Sequence, residues 1–233
     1  MRSDVTAKLK NTRMKKIIAL LLVISFSVNS NAQSDSLYAE IGVNAIRLIG
    51  LGLQNNHQDS DIWNPYLLTA NVNYKRIGLR LGYGGRMGSR TELPTDANGK
   101  TTMLMDSSRT DFRIGLAWEI EPSAKWTFRF GVDYFIANES NLMETEFTNE
   151  DNEKVIITRD VTTDESGFAP FVCFQYHISP RISLGTELLW RFSNYTTLDR
   201  DVSNVSDTDV VREYEGSRRM VMAPTALFLN VRF

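Results

Sequence analysis

The chain offers two histidines and one cysteine for chemistry. His57 stands near Asp59, Ser60 and Asp61, and a histidine base beside a serine is the pairing that acyl transfer needs. A lipid-modifying site of that kind also requires an apolar pocket for the acyl chain. The inward set derived below is charged, so catalysis is not expected. His177 sits beside the turn at Ser179-Pro180 with no companion nucleophile. Cys173 has no disulfide partner and reads as filler among polar-face positions. The segment Asn138 to Ser166 holds nine acids against Lys154 and Arg159, a net of −7. It lacks the D-x-D-x-D-G spacing of a preformed cation cage, so solvated charge is expected there rather than a metal site. Gly82-Tyr83-Gly84-Gly85 falls inside a strand pattern and is not a phosphate loop. The sequence therefore predicts no catalytic residue, no metal ligand and no cofactor.

The charge balance has an address. Residues 33–233 carry 20 Lys and Arg against 27 Asp and Glu, a net of −7, all of it attributable to the acidic segment. Nothing basic suggests a nucleic-acid partner. Met14-Lys15-Lys16 followed by the apolar run Ile17 to Ser27 and by Ser30-Asn31-Ala32 reads as a secretory signal peptide over 14–32, cleaved after Ala32. Its apolar run is too short to cross a bilayer core of about 30 Å as a helix. Residues 1–13 read as an over-extended start, with Met14 the initiator, and 33–233 as one domain.

That domain alternates. The clearest stretch is Thr110 to Ala137. Phe112, Ile114, Leu116, Trp118 and Ile120 interleave with Asp111, Arg113, Gly115, Ala117 and Glu119. After Glu121 to Lys125 the pattern resumes from Trp126 to Ile136. Period two over about ten residues is a strand with one apolar and one polar face. The same reading gives strands at Ala39 to Ala45, Tyr66 to Tyr74, Ile77 to Tyr83, Phe168 to Ile178, Ile182 to Phe192 and Ala223 to Phe233. That makes eight. Short connections (Lys75-Arg76, Glu121 to Lys125, Ser179 to Arg181) alternate with long ones (50–64, 85–109, 138–166, 194–219). Within the long connections, 143–148 and 155–159 should form a hairpin, Thr101 to Met105 should follow the Asn98-Gly99 turn, and Val210 to Tyr214 should pair with Tyr195 to Leu198. Pro170 and Pro224 should mark bulges or bends, and Arg47 should mark the end or a bulge of the first strand.

Which face looks outward decides the class. A soluble lipid-binding barrel would show the same period with the apolar set inside. Rings recur eight apart on the apolar face: Tyr66 and Tyr74, Trp126 and Tyr134, Phe168 and Tyr176. Eight tilted residues climb about 20 Å, which suits two aromatic belts around an apolar band of about 25 Å. The polar face carries Glu40, Asp111, Glu119, Asp133 and Glu187 against Arg80, Arg113, Arg129, Arg191 and Arg232, interspersed with glycines. Balanced charge and small residues fit a narrow lumen in which the ions neutralise one another.

On these features the sequence resembles the small eight-stranded outer-membrane barrels of the OmpA and OmpX type. The resemblance implies an all-β, up-and-down antiparallel transmembrane barrel with extended extracellular hairpins. It also implies outer-membrane location in a Gram-negative cell envelope, and contact with outer-membrane lipids and lipopolysaccharide. The terminal Leu229, Val231 and Phe233 resemble the signal read by the barrel-assembly machinery, and no further peptidoglycan-binding domain is expected. The function expected is that of an envelope scaffold or surface interaction protein with a charge-plugged lumen, its ribbon edges open to an extracellular protein. A narrow solute channel is the alternative.

Overall fold

The computed structural model describes residues 37–53, 64–92, 102–148, 153–204 and 209–233. The expected signal peptide with its cleavage after Ala32, and His57 with Asp59, Ser60 and Asp61, lie outside these residues. The strands are β1 (Leu37–Asn44), β2 (Leu68–Tyr74), β3 (Ile77–Glu92), β4 (Thr102–Ser123), β5 (Trp126–Thr148), β6 (Lys154–His177), β7 (Ile182–Ser203), β8 (Val210–Met222) and β9 (Phe228–Arg232). One helix, α1 (Ala45–Leu53), follows β1.

Each strand from β1 to β7 pairs antiparallel with the next. β9 lies between β7 and β1 and closes the ring. The eighth position of that ring is shared, with β8 continuing above β9 along β7. Met222 pairs with Leu189 and Phe228 with Gly185, so four steps on β7 are matched by six opposite. The stretch around Pro224, which has no N–H to donate, leaves the ladder there. Pro170 acts more mildly. It keeps its pairing with Val132 on β5, and the β6–β7 ladder omits Ala169 and Pro170, then resumes in the same register. In place of the expected bulge or bend, the β6–β7 ladder has a gap with no shift of register.

The first strand ends at Asn44 because that side chain caps a helix. Its Oδ1 accepts from the Arg47 N–H at 3.3 Å. The Arg47 guanidinium then donates to the carbonyls of Pro65 and Gly85, the second at 3.3 Å. β1 and β2 therefore stop while their neighbours continue. Above Gly84, among the described residues, β3 pairs only with β4, and β8 pairs only with β7. Among the described residues, β3 to β8 rise as a six-stranded open sheet on top of a closed ring. The 143–148 and 155–159 segments pair as expected, whereas Val210 to Tyr214 pairs with Thr197 to Asp201, further along β7 than expected.

The faces sort as an inside-out barrel. Leu116 (62 % exposed), Leu79, Ile114, Val132 and Phe168 (59 %) look outward. So do Tyr74, Trp126, Tyr134 and Tyr176, with Trp126 edge-on to Tyr176 at 5.0 Å and Tyr134 to Phe168 at 5.4 Å. The charged set lies within. Burying charge while exposing this much apolar surface is the reverse of a water-soluble core, and it suits a surrounding of hydrocarbon.

Candidate functional site: a charge-plugged lumen

The strand period aims alternate side chains of all eight ring positions at one axis, and the charges gather there in three tiers. Nearest the short turns, Arg129 on β5 reaches Glu119 (2.6 Å) and Glu40 (2.8 Å). Gln175 donates to Glu40 at 2.7 Å, and the Tyr38 hydroxyl lies 2.5 Å from Glu119. Arg232 stacks 3.8 Å over the Tyr38 ring and lies 3.6 Å from Glu121.

The middle tier is the most enclosed. Arg113 (0 % exposed) grips Glu187 with two hydrogen bonds, 2.8 and 3.2 Å. Arg80 reaches the same carboxylate at 2.6 Å, and Asn64 donates to it at 2.5 Å. Asp133 (0 % exposed) lies 3.3 Å from both Arg80 and Arg113. Two arginines against two acids leave this tier neutral, as buried ions require. The upper tier, level with the outer belt and above it, joins Arg109 to Asp111 (2.9 Å), Glu139 (3.0 Å) and Glu165 (3.5 Å). Arg191 reaches Asp111 at 3.3 Å, and Arg86 reaches Glu139 at 3.1 Å. Burial works to raise the Glu139 carboxyl, but the Asn141 amide and the Arg109 and Arg86 charges outweigh it and hold it below the usual carboxylate range.

Glycines make this packing fit. A methyl group at Gly82 would lie 2.4 Å from Arg113 Nε, and one at Gly115 would lie 2.2 Å from Asp133 and 2.5 Å from a backbone oxygen. The lumen retains a cavity of ≈ 20 Å³ between the lower and middle tiers, bordered by Glu40, Arg113, Arg129, Gln175 and Glu187. That is room for about one water.

All ten charges of the sequence-derived lumen set point inward, with Arg232 near the rim. Leu229 is exposed, and Val231 and Phe233 are half-buried beside β1 and β7. Of the expected belt, Tyr66 is a correction. It is 1 % exposed inside the lumen, with Arg113 stacked 3.9 Å over its ring. Tyr66 and Thr69 both face in with two residues between them, so the alternation slips just before β2. Phe171 under Arg80 (3.6 Å) and Phe135 under Arg191 (3.8 Å) are further inner rings that the sequence reading missed. Arg109, Glu139 and Glu165 were missed too, although each continues the inward parity of its strand. Cys173 is buried in the lumen wall. His177 shares a 2.7 Å hydrogen bond with Thr127. Among the described residues no cluster of His, Cys, Asp and Glu has the makings of a metal site.

No family model matches the chain, and no curated protein sequence does. Two solved structures are similar in outline. A major outer membrane protein from Thermus thermophilus is 12% identical with a TM-score of 0.41, covering 85% of this chain and 99% of that one. Acinetobacter baumannii CarO is 15% identical with a TM-score of 0.35, covering 85% and 96%. Both likenesses are coarse; the barrel rests on its own closed ring of strand pairs.

Proposed function

We propose that this chain is an exported, integral outer-membrane barrel that works as an envelope scaffold or surface interaction protein, not as an enzyme. The lumen carries the reading: three tiers of ion pairs cross it, and the cavity between the lower two has room for about one water. Eight strands enclose an interior that side chains just fill. What remains for function is the outside. Among the described residues the six-stranded sheet above the ring has free edges on β3 and β8, and a free edge is a template for an added strand of an extracellular protein. Outer-membrane lipids and lipopolysaccharide would surround the belt. The β9 residues Leu229 and Val231, with Phe233, would be what the barrel-assembly machinery reads.

A narrow channel is the second reading, favoured only by the lumen cavity. Planar-bilayer recording separates the two. The scaffold reading expects no steady unitary conductance from the purified chain. Regular openings whose size changes on neutralising Asp133 would replace it with transport. Release of the protein from membranes by carbonate would reject the membrane location itself.

A further inference from the structure

Unpaired exposed cations gather at the short-turn end of the barrel, whereas most of those on the ribbons have an acid partner. On the ribbons Lys154 pairs with Glu146 (2.9 Å), Arg200 with Asp209 (2.5 Å) and Arg212 with Asp201 (3.4 Å), while Arg219 on β8 makes no ion pair among the described residues. The short-turn end differs. Lys75 and Arg76 form the whole β2–β3 connection, Lys125 closes the β4–β5 connection, and Arg181 closes the β6–β7 connection. All four are exposed, and none makes an ion pair among the described residues. The exposed acid described at this rim is Glu121, which already has Arg232 at 3.6 Å.

The backbone adds a second observation. Lys75 has a φ of 55°, the left-handed region that glycine or asparagine would fill at less steric cost. A lysine is held where the turn alone would favour another residue, and its Nζ lies 5.4 Å over the Tyr74 ring. Tyr74, Trp126 and Tyr176 ring the barrel beside these turns. Amphipathic rings of this kind settle at the headgroup level of a bilayer, so the four cations stand at the same height.

We propose that this cationic rim is a binding surface for anionic phospholipid headgroups, with the phosphate as the recognised group. The proposal rests on the membrane reading above and names the lipid that the short-turn side selects. Anionic lipid draws basic residues to its surface, and the attraction weakens as salt screens it. A second copy of the chain is a poor occupant, because it would bring the same charge sign to the same rim.

The test uses the full chain in phosphatidylcholine vesicles that contain a minor share of either brominated phosphatidylglycerol or brominated phosphatidylcholine. Trp126, next to Lys125, reports which lipid sits at the rim, in a W63F/W118F/W190F background checked for heat-modifiable migration and against the unmodified chain. Brominated phosphatidylglycerol should quench with an apparent association about threefold stronger. K75Q/R76Q/K125Q/R181Q should remove the preference while leaving insertion intact. Equal quenching by the two lipids in the unmodified chain overturns the proposal. Loss of the preference on adding inorganic phosphate at constant ionic strength would assign the site to free anions, and overturns the lipid assignment. Failure of the protein to float with vesicles would instead sink the membrane reading, so the two failures are distinguishable.

Discussion

Arg113 reaches Glu187 across the lumen at 2.8 Å, and Arg159 reaches Asp199 on the adjacent strand at 2.6 Å. One lies inside the closed ring and the other on the ribbons above it. Arg113 is sealed between Tyr66 and the space left by Gly82, and its partner is shared with Arg80 and Asn64. The Arg159 side chain is 44% exposed, with water as its alternative partner. Contact distance alone would rank the ribbon pair as the stronger. Burial reverses the ranking of what happens when a partner is lost, because an orphaned ion in the lumen has nowhere to find water. The ring therefore uses charge as a structural filling that has to be complete, and the ribbons use it as surface decoration.

Substitutions that remove one partner should separate the two regions most sharply. Glu187→Ala strands Arg80 and Arg113, and it should cost about 3–5 kcal/mol in urea unfolding from lipid vesicles. A cost no greater than that of a ribbon substitution would erase the distinction. Gly115→Ala pushes a methyl group into Asp133 and the neighbouring backbone, and should cost about 1–3 kcal/mol by the same assay. Glu139 tests the boundary between the regions. Its folded carboxyl titrates below the unfolded one, so its contribution is present above the unfolded carboxylate pKa and fades as pH falls through the folded value. The stability gap between the unmodified chain and Glu139→Gln should thus narrow on acidification; a gap constant across the acid range would contradict the ion-pair account. Lys154→Ala, at the exposed tip of the β5–β6 ribbon, should change stability by less than about 1 kcal/mol.

The strands were legible because an apolar outer face and a packed, charged lumen impose a strict period of two. The same force made Asp111, Arg113, Asp133 and Glu187 readable as one inward set. What escaped was whatever broke the period without changing composition. Tyr66 looks outward by count and inward in fact, since the slip at Leu67–Leu68 involves two ordinary leucines. The α1 segment is an apolar run that could equally extend β1; only the cap by Asn44 and the reach of Arg47 to Pro65 and Gly85 decide for a helix. Phe135 and Phe171 sit among apolar neighbours, and their partners Arg191 and Arg80 come from other strands, so no local pattern announces the stacking. The upper tier was hidden for a different reason. Arg109, Glu139 and Glu165 lie in segments that composition marks as loops, and the strands simply run on through them.

β9 has a consequence for how the cylinder comes into being. Five residues, Phe228–Arg232, are stitched on one side to the first strand and on the other to the seventh. Every other neighbour along the wall is joined by hairpins that can zip locally, but this seam unites the two ends of the folded chain and carries the longest loop-closure penalty. Until it forms, the wall is a curled sheet with two raw borders, and its arginines and carboxylates have no common interior. Sealing the seam also brings Glu40 to Arg129 and Glu187 to Arg80 across the lumen, so closure of the wall and pairing of those charges are linked.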